Sequence, residues 1–242
     1  MGSPKVWQDR YPHAPLVEVA CEIRFPGEIA VESCRDRFWD SIRDAYPIIK
    51  VPRAKDGIPP AVQHYRYSTD GEQGRNVAVA LNSFALSEGA YTTHKPFLKE
   101  FKRLHGIFAK CYPKIDKLNR VGWRYINVIP YVRESGAVPI GQYLELNVPR
   151  PASLPGEIRN IQLNLEVPIS NGVAIIKLET VHDTRDEQSE ALLLDLDFVF
   201  EGPNIRMADA PALMAKAHHG SRQIFEDIIT DGYRTYLQGE GI

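Results

Sequence analysis

The sequence has few cysteines and lacks the short motifs that usually identify a reaction. Cys21, Cys34 and Cys111 are its three cysteines. This odd number, without CxxC spacing, argues against a disulfide framework or a cysteine-rich metal site. The glycine-rich loop GxxxxGK[ST] is absent, as are GxGxxG, HExxH and GxSxG. The common signatures of nucleotide hydrolases, dinucleotide-dependent enzymes, zinc proteases and serine hydrolases are therefore missing.

Long apolar runs and a strong excess of one charge are also missing. The sequence contains no run of 18 apolar residues, the length that a membrane-spanning helix needs, so we expect no membrane partner. The 29 Lys and Arg residues nearly balance 31 Asp and Glu, for a net charge of −2. That balance argues against a protein held to nucleic acid by its total charge. Residues 1–10 are polar and lack the apolar stretch of a secretory signal, and we expect a cytoplasmic location.

The composition is that of a folded protein with a large core. Hydrophobic residues make up 43% of the 242 residues and aromatic residues 10%. A chain of this length forms one large domain or two small ones. We predict a single domain over 1–242, with a soft boundary near 114–118.

Hydrophobic periodicity predicts alternating strands and helices. Alternation of apolar and polar residues indicates strands, and apolar residues every three or four positions indicate helices. The predicted strands cover 15–25, 61–68, 75–86, 119–131, 160–168, 172–182 and 191–201. The predicted helices cover about 31–45, 96–112, 138–146 and 209–237, with a loop at 48–60 and a hairpin loop at 69–74.

This order of elements predicts an α+β fold. The first half, 1–116, is predicted as β-α-β-β-α, and the second half, 117–242, as β-(α)-β-β-β-α. Strands joined by hairpins favour a largely antiparallel sheet with helices on one face and a long C-terminal helix completing the core. The similar order of the halves suggests a structural duplication.

Two aspartates on the last predicted strand are the first candidate ligand-binding residues. Asp195 and Asp197 are two positions apart, so their side chains leave the same face about 6.5–7 Å apart along the strand. Leucine and phenylalanine occupy the alternate positions and are expected to fix this register against the core. The two carboxylates are thus predicted to project away from the apolar layer.

Other strands carry polar residues that could join the same surface. Glu22 and Arg24 share one face of the first strand, and Glu179 lies on the strand at 172–182. If these faces are continuous, Glu22, Glu179 and the two aspartates could bind a charged ligand or a metal. The alternatives are an ordinary solvated face with cross-strand charge pairs and a protein interface.

The strand at 119–131 contains Arg124, Tyr125 and Asn127, which complete the set of candidate ligand-binding residues. An arginine between aromatic rings can grip a phosphate or stack on a base. The alternative is structural, with Arg124 paired to Asp195 or Asp197 and Tyr125 packed in the core. No residue is assigned a catalytic role, and no metal or cofactor is predicted.

Four segments together resemble an uncharacterised, sporadically distributed bacterial protein family of about this length. They are Pro15-Leu16-Val17-Glu18-Val19 through Arg24-Phe25, Arg124-Tyr125-Ile126-Asn127, Leu194-Asp195-Leu196-Asp197, and His218, Ile224-Phe225-Glu226 and Thr230-Asp231. The resemblance implies a cytoplasmic bacterial protein with no established activity. Patchy inheritance is compatible with a defence or toxin–antitoxin locus.

A fainter resemblance is to the triphosphate-tunnel fold. The first strand of that family shows Glu-x-Glu-x-Lys, and the corresponding stretch here is Ala20-Cys21-Glu22-Ile23-Arg24. The first glutamate is missing, which argues against phosphohydrolase activity.

Three functional hypotheses follow. The first is a non-enzymatic binding or assembly module whose partner is a protein, a second copy of the chain or a small polar ligand. The second is a metal-dependent phosphoryl-transfer enzyme in which Glu22, Asp195 and Asp197 bind the metal and Arg24 or Arg124 holds phosphate. The third is a nucleic-acid accessory protein that uses the basic residues of the helix at 96–112.

Overall fold

A computed structural model describes residues 10–50, 65–69, 74–146, 153, 156–169, 172–183 and 186–240. The strands are β1 (Leu16–Arg24), β2 (Ile48–Lys50), β3 (Tyr65–Ser68), β4 (Arg75–Ala80), β5 (Ser83–Glu88), β6 (Lys117–Tyr131), β7 (Gln162–Ile169), β8 (Gly172–Asp183) and β9 (Asp186–Arg206). The helices are α1 (Ile29–Ser33), α2 (Arg35–Asp40), α3 (His94–Cys111), α4 (Ile140–Tyr143), α5 (Ala210–Ile228) and α6 (Asp231–Leu237). None of these helices combines the length and apolar character needed to cross a bilayer.

Within the described ranges, the strands form one antiparallel sheet in the order β2-β3-β4-β5-β1-β6-β9-β8-β7. The predicted α+β class is therefore confirmed. In both halves the first strand pairs with the last strand of a meander, giving β1-β5-β4-β3 and β6-β9-β8-β7, and the first half has one further strand, β2, at its edge beside β3. Because β1 also pairs with β6, the halves share one sheet. The boundary near 114–118 stays a prediction.

One correction to the predicted strands makes the two halves alike. The strand predicted at 75–86 is two strands, β4 and β5, joined by a turn at Leu81 and Asn82. Asparagine is a common turn residue, so the signal was present but was overridden by the apolar run around it. The predicted loop at 48–60 begins with β2. Its remainder, residues 61–64 of the next strand and most of the 69–74 hairpin loop lie outside the described residues.

The core lies between the helices and one face of the sheet. Phe84 on β5, Phe38 on α2 and Phe108 on α3 pack with ring centroids 4.8–5.8 Å apart. Trp123 on β6 is fully buried and meets Phe97 of α3 at 5.2 Å. Each such ring pair adds about 0.5–1.5 kcal/mol beyond the burial of apolar area. These contacts fix which face of the central strands points away from the helices.

Two predicted helices are interrupted. The helix at 31–45 is divided at Cys34, whose φ of −128° and ψ of 36° leave the helical region. The long C-terminal helix is confirmed as α5 but ends at Ile228, because Ile229 is extended and bridges Leu144. Thr230 then caps α6 by accepting a hydrogen bond from the Tyr233 amide at 3.1 Å.

The three cysteines are free, as the sequence predicts, but only one is fully buried. Cys21 lies in the core on β1, whereas Cys34 and Cys111 are partly exposed. Both partly exposed thiols lie at ends of helices, Cys34 between α1 and α2 and Cys111 as the last residue of α3.

A glycine allows α5 to approach the sheet closely. A Cβ atom added at Gly220 would lie 2.2 Å from Cε2 of Phe198 on β9, whereas one at Gly106 on α3 would meet nothing within 4 Å. We expect Gly220→Ala to reduce the free energy of unfolding by about 1–3 kcal/mol through overpacking. The matched Gly106→Ala change should raise it by about 0.5–1 kcal/mol. Urea unfolding of both variants checks this, and equal effects would contradict the packing argument.

Candidate functional site

The polar face is the face of the sheet opposite the helices, and it contains a groove of about 470 Å³. All of the described residues that line this groove belong to strands, so the sheet alone builds it. They are Glu18, Ala20, Glu22, Arg24, Arg66, Asn76, Ala78, Ala85, Ser87, Arg120, Gly122, Arg124, Ile175, Lys177, Asp195 and Asp197.

Small side chains form the floor of the groove. Ala78 of β4 lies opposite Ala85 of β5, and Ser87 of β5 lies opposite Ala20 of β1. Gly122 on β6 continues this floor, and a Cβ there would lie 2.9 Å from Cγ1 of Val199. Because these side chains are short, the longer charged side chains around them stand above the floor and enclose space.

Arg124 and Asp195 form a bidentate ion pair beside this floor. Nε and Nη2 of Arg124 each donate a hydrogen bond of 2.7 Å to a different carboxylate oxygen of Asp195. These hydrogen bonds raise the pKa of the Arg124 guanidinium. The structural alternative for Arg124, a pair with Asp195 or Asp197, is thus the arrangement found.

Arg120 links the other two carboxylates of the groove. Its guanidinium donates to Glu22 at 2.8 Å and to Asp197 at 2.5 Å. Glu22 also accepts a hydrogen bond from Arg24 at 2.8 Å. Burial raises the pKa of Asp197, and the Arg120 charge opposes that rise. Arg120 was not among the residues predicted from the sequence. It lies four residues before Arg124 on the same strand, so the alternation of side chains places both arginines on the same face.

Three of the acids in the groove lie deeper than four of its bases, whereas the fifth base, Arg120, is 14% exposed and lies among the acids. The side chains of Glu22, Asp195 and Asp197 are 19%, 8% and 17% exposed, whereas those of Arg24 and Arg124 are 52% and 46% exposed. Among the described lining residues, five are cationic and four are acidic, and Arg66 and Lys177 are also exposed. The mouth of the groove therefore presents positive charge, although the whole chain carries a net charge of −2.

The structure brings together five of the eight predicted ligand-binding residues. They are Glu22, Arg24, Arg124, Asp195 and Asp197. Glu179 lies on the same face, on β8 two residues beyond the lining residue Lys177, where it pairs with Gln162 of β7 and Leu193 of β9. Its register therefore puts it beside the groove rather than in its described lining.

Tyr125 and Asn127 lie on the other side of the sheet. Successive side chains of a strand alternate between faces, so both of these residues point toward the helices while Arg124 points away. Tyr125 is 6% exposed and Asn127 is 3% exposed. The prediction that Tyr125 and Asn127 share a site with Arg124 is therefore corrected, because the pleat of β6 places them on opposite faces of the sheet.

The three carboxylates suggested as metal ligands are engaged by arginines. Glu22, Asp195 and Asp197 each accept hydrogen bonds from a guanidinium. Across the described part of the chain, no group of three or more His, Cys, Asp and Glu side chains is placed to hold a metal ion. The phosphoryl-transfer hypothesis therefore stays a prediction.

Comparisons with protein families and with curated proteins found no relative of this chain. No protein-family model matches the sequence. No curated protein matches it either. The resemblance to a sporadically distributed bacterial family therefore stays a prediction.

Proposed function

We propose that the chain is a non-catalytic binding module whose groove holds a small anionic ligand. The observation that carries this proposal is the layering of charge, with carboxylates beneath and exposed guanidinium and ammonium groups above. The groove volume of about 470 Å³ is in the range of about 300–1,000 Å³ found for small-molecule sites. An anion entering this groove meets cations first.

The buried acids have a positioning role in this proposal. Asp195 binds two nitrogens of Arg124 and so holds the plane of the guanidinium. Glu22 accepts one hydrogen bond of 2.8 Å from Nε of Arg24 and so restrains that side chain at one atom. A guanidinium fixed in this way loses less freedom when it binds a carboxylate or phosphate through two parallel hydrogen bonds.

The spacing of the cations favours a ligand with more than one anionic group. Arg66 on β3 and Arg24 on β1 are separated by three strand-to-strand steps in the sheet order. At about 4.8 Å per step, their backbones lie about 14 Å apart across the sheet. A ligand carrying two separated phosphate or carboxylate groups can therefore contact cations on both sides of the floor at once.

We also propose a setting for this binding. The resemblance described above favours a bacterial cytoplasmic system, and patchy inheritance favours a defence locus. A partner protein that presents two acidic side chains would use the same cations. The ligand-binding experiment below separates a free small anion from such a partner, because only the first binds as an isolated compound.

The test is a thermal unfolding titration with pyrophosphate, citrate and ATP at constant ionic strength. We expect saturable stabilisation that follows RT ln(1 + [L]/Kd), or about 2.7 kcal/mol at a ligand concentration of 100 Kd. Lys177→Gln and Arg66→Ser should weaken it, whereas Lys99→Gln, an exposed lysine on α3, should not. A flat response to all three anions would overturn the proposal.

The same titration separates binding from catalysis. We expect stabilisation by ATP in the presence of a chelator and no release of phosphate when Mg²⁺ is added. Magnesium-dependent turnover that disappears in Asp195→Asn would support the phosphoryl-transfer hypothesis instead. Retention on DNA or RNA that weakens steeply with salt would support the third hypothesis.

A further inference from the structure

The sheet ends in a long edge strand. β7 is the last strand in the sheet order, and of the described strands only β8 pairs with it. It is eight residues long, whereas β2, the described strand at the opposite edge, has three. An edge of this length presents a row of backbone N–H and C=O groups that another strand can bind.

The hydrogen bonds to β8 determine which backbone groups of β7 face outward. The register of the ladder continues to Ile161, whose carbonyl accepts a hydrogen bond of 3.0 Å from the Thr180 amide directly opposite. In an antiparallel ladder, pairs that exchange hydrogen bonds alternate with pairs whose backbone groups point away. Every second residue from 162 to 168 therefore has outward N–H and C=O groups. The last of them, Pro168, has no N–H, as expected for proline in an edge strand.

The two faces of β7 differ in polarity. On the helix side of the sheet, Leu163 and Leu165 are partly exposed and Val167 is 45% exposed. The three polar residues that alternate with them are exposed on the polar face. A second strand at this edge would therefore cover apolar side chains on one face and meet polar side chains on the other.

We infer that the occupant of this edge is β7 of a second copy of the chain, paired antiparallel about a twofold axis at Asn164. Each Asn164 then lies opposite its counterpart, and Gln162 lies opposite the partner's Glu166. On the helix side, Leu163 lies opposite the partner's Leu165. Amide thus meets amide, amide meets carboxylate and leucine meets leucine, which are favourable cross-strand pairs.

Other registers are less favourable. Outward backbone groups must face each other, so only pairings between residues with outward groups are allowed. Moving the axis toward Pro168 places Gln162 opposite that proline, which lacks the N–H, or places the two Glu166 carboxylates opposite each other. Moving the axis the other way shortens the ladder. In the inferred register the two Glu166 residues are four positions apart along the strands, or about 14 Å.

The inferred dimer has a single continuous sheet. Its interface is isologous, because the same strand is used by both copies, and the twofold axis places both polar faces on the same side. Asn164 lies beside the groove residue Lys177, so the two grooves open on one common surface. The pairing itself does not depend on the ligand proposed for the groove.

The first test is sedimentation equilibrium of the full chain over a range of concentrations. We expect the parent chain to approach the mass of two chains. Asn164→Pro removes an outward N–H that β8 does not use, and it should raise the dimer Kd at least about tenfold. The matched change Asn164→Ala removes the same side chain but keeps the N–H, and it should retain the dimer. A parent chain that stays monomeric, or equal Kd values for these two variants, would overturn the inference.

The second test is disulfide cross-linking, which reports the register without a proline. The facing Cα atoms at position 164 should lie about 5.5 Å apart, within the range that a disulfide spans. Asn164→Cys should therefore form a covalent dimer on mild oxidation, whereas Glu166→Cys should not, because its two thiols are about 14 Å apart along the strands. The parent chain measures the background from the partly exposed Cys34 and Cys111. Equal cross-linking of the two variants would contradict the inferred pairing.

Discussion

Replacing Glu226 by alanine is expected to lower the free energy of unfolding by about 3–5 kcal/mol. The carboxylate is fully buried and binds Tyr11 from the start of the described chain and Arg234 from α6. It also lies 2.8 Å from Arg222 one helical turn earlier. Removing it leaves two arginines, 19% and 15% exposed, without their shared carboxylate, and burying charge in this way is costly.

The matched control is Asp227→Ala. Asp227 is the next residue of α5 and carries the same charge, but it is exposed. Its replacement should change stability by no more than about 0.5 kcal/mol. Urea unfolding followed by circular dichroism measures both variants. Equal stabilities for Glu226→Ala and Asp227→Ala would contradict a stabilising role for the buried network.

The alternation of apolar and polar residues correctly predicted which face of the sheet each side chain of β9 occupies. On β9 the side chains of Leu192, Leu194 and Leu196 are at most 1% exposed, and Asp195 and Asp197 lie on the opposite face. One face of a strand beside an apolar core must be apolar, so a slip of one residue would bury both aspartates against leucines. That energetic difference is large enough for the sequence alone to fix the register.

The composition of the groove and of the buried network around Glu226 could not be predicted in the same way. Which strands lie side by side is set by topology, and the pairing of β1 with both β5 and β6 brings Glu22 to Arg120, 98 residues away. The buried network around Glu226 joins that residue to Tyr11, which is 215 residues away. No local pattern contains such separations. The residue types were present, but the partners of each side chain were not visible.

Raising the pH from about 9 to about 12 is expected to destabilise the protein by several kcal/mol through its buried tyrosines. Burial raises the pKa of Tyr67 to about 12 and that of Tyr125 to about 12. It also raises the pKa of Tyr46 and Tyr91. In the unfolded chain each phenol ionises near its usual pKa of about 10. Their stabilising contribution is therefore complete below about pH 10 and is lost as the pH rises toward the folded-state pKa, at about 2–3 kcal/mol for a phenol shifted from 10 to 12.

Urea unfolding across this pH range measures the loss, and Tyr67→Phe isolates one phenol. Tyr67 is 3% exposed and Tyr236 is 48% exposed. We expect Tyr67→Phe to lose about 2–3 kcal/mol less than the parent chain between about pH 9 and pH 12. Tyr236→Phe, in which an exposed phenol is removed, should follow the parent curve. If both variants follow the parent curve, the alkaline loss does not arise from burial of the Tyr67 hydroxyl, because that hydroxyl is then ionising at the same pH in the folded and unfolded states.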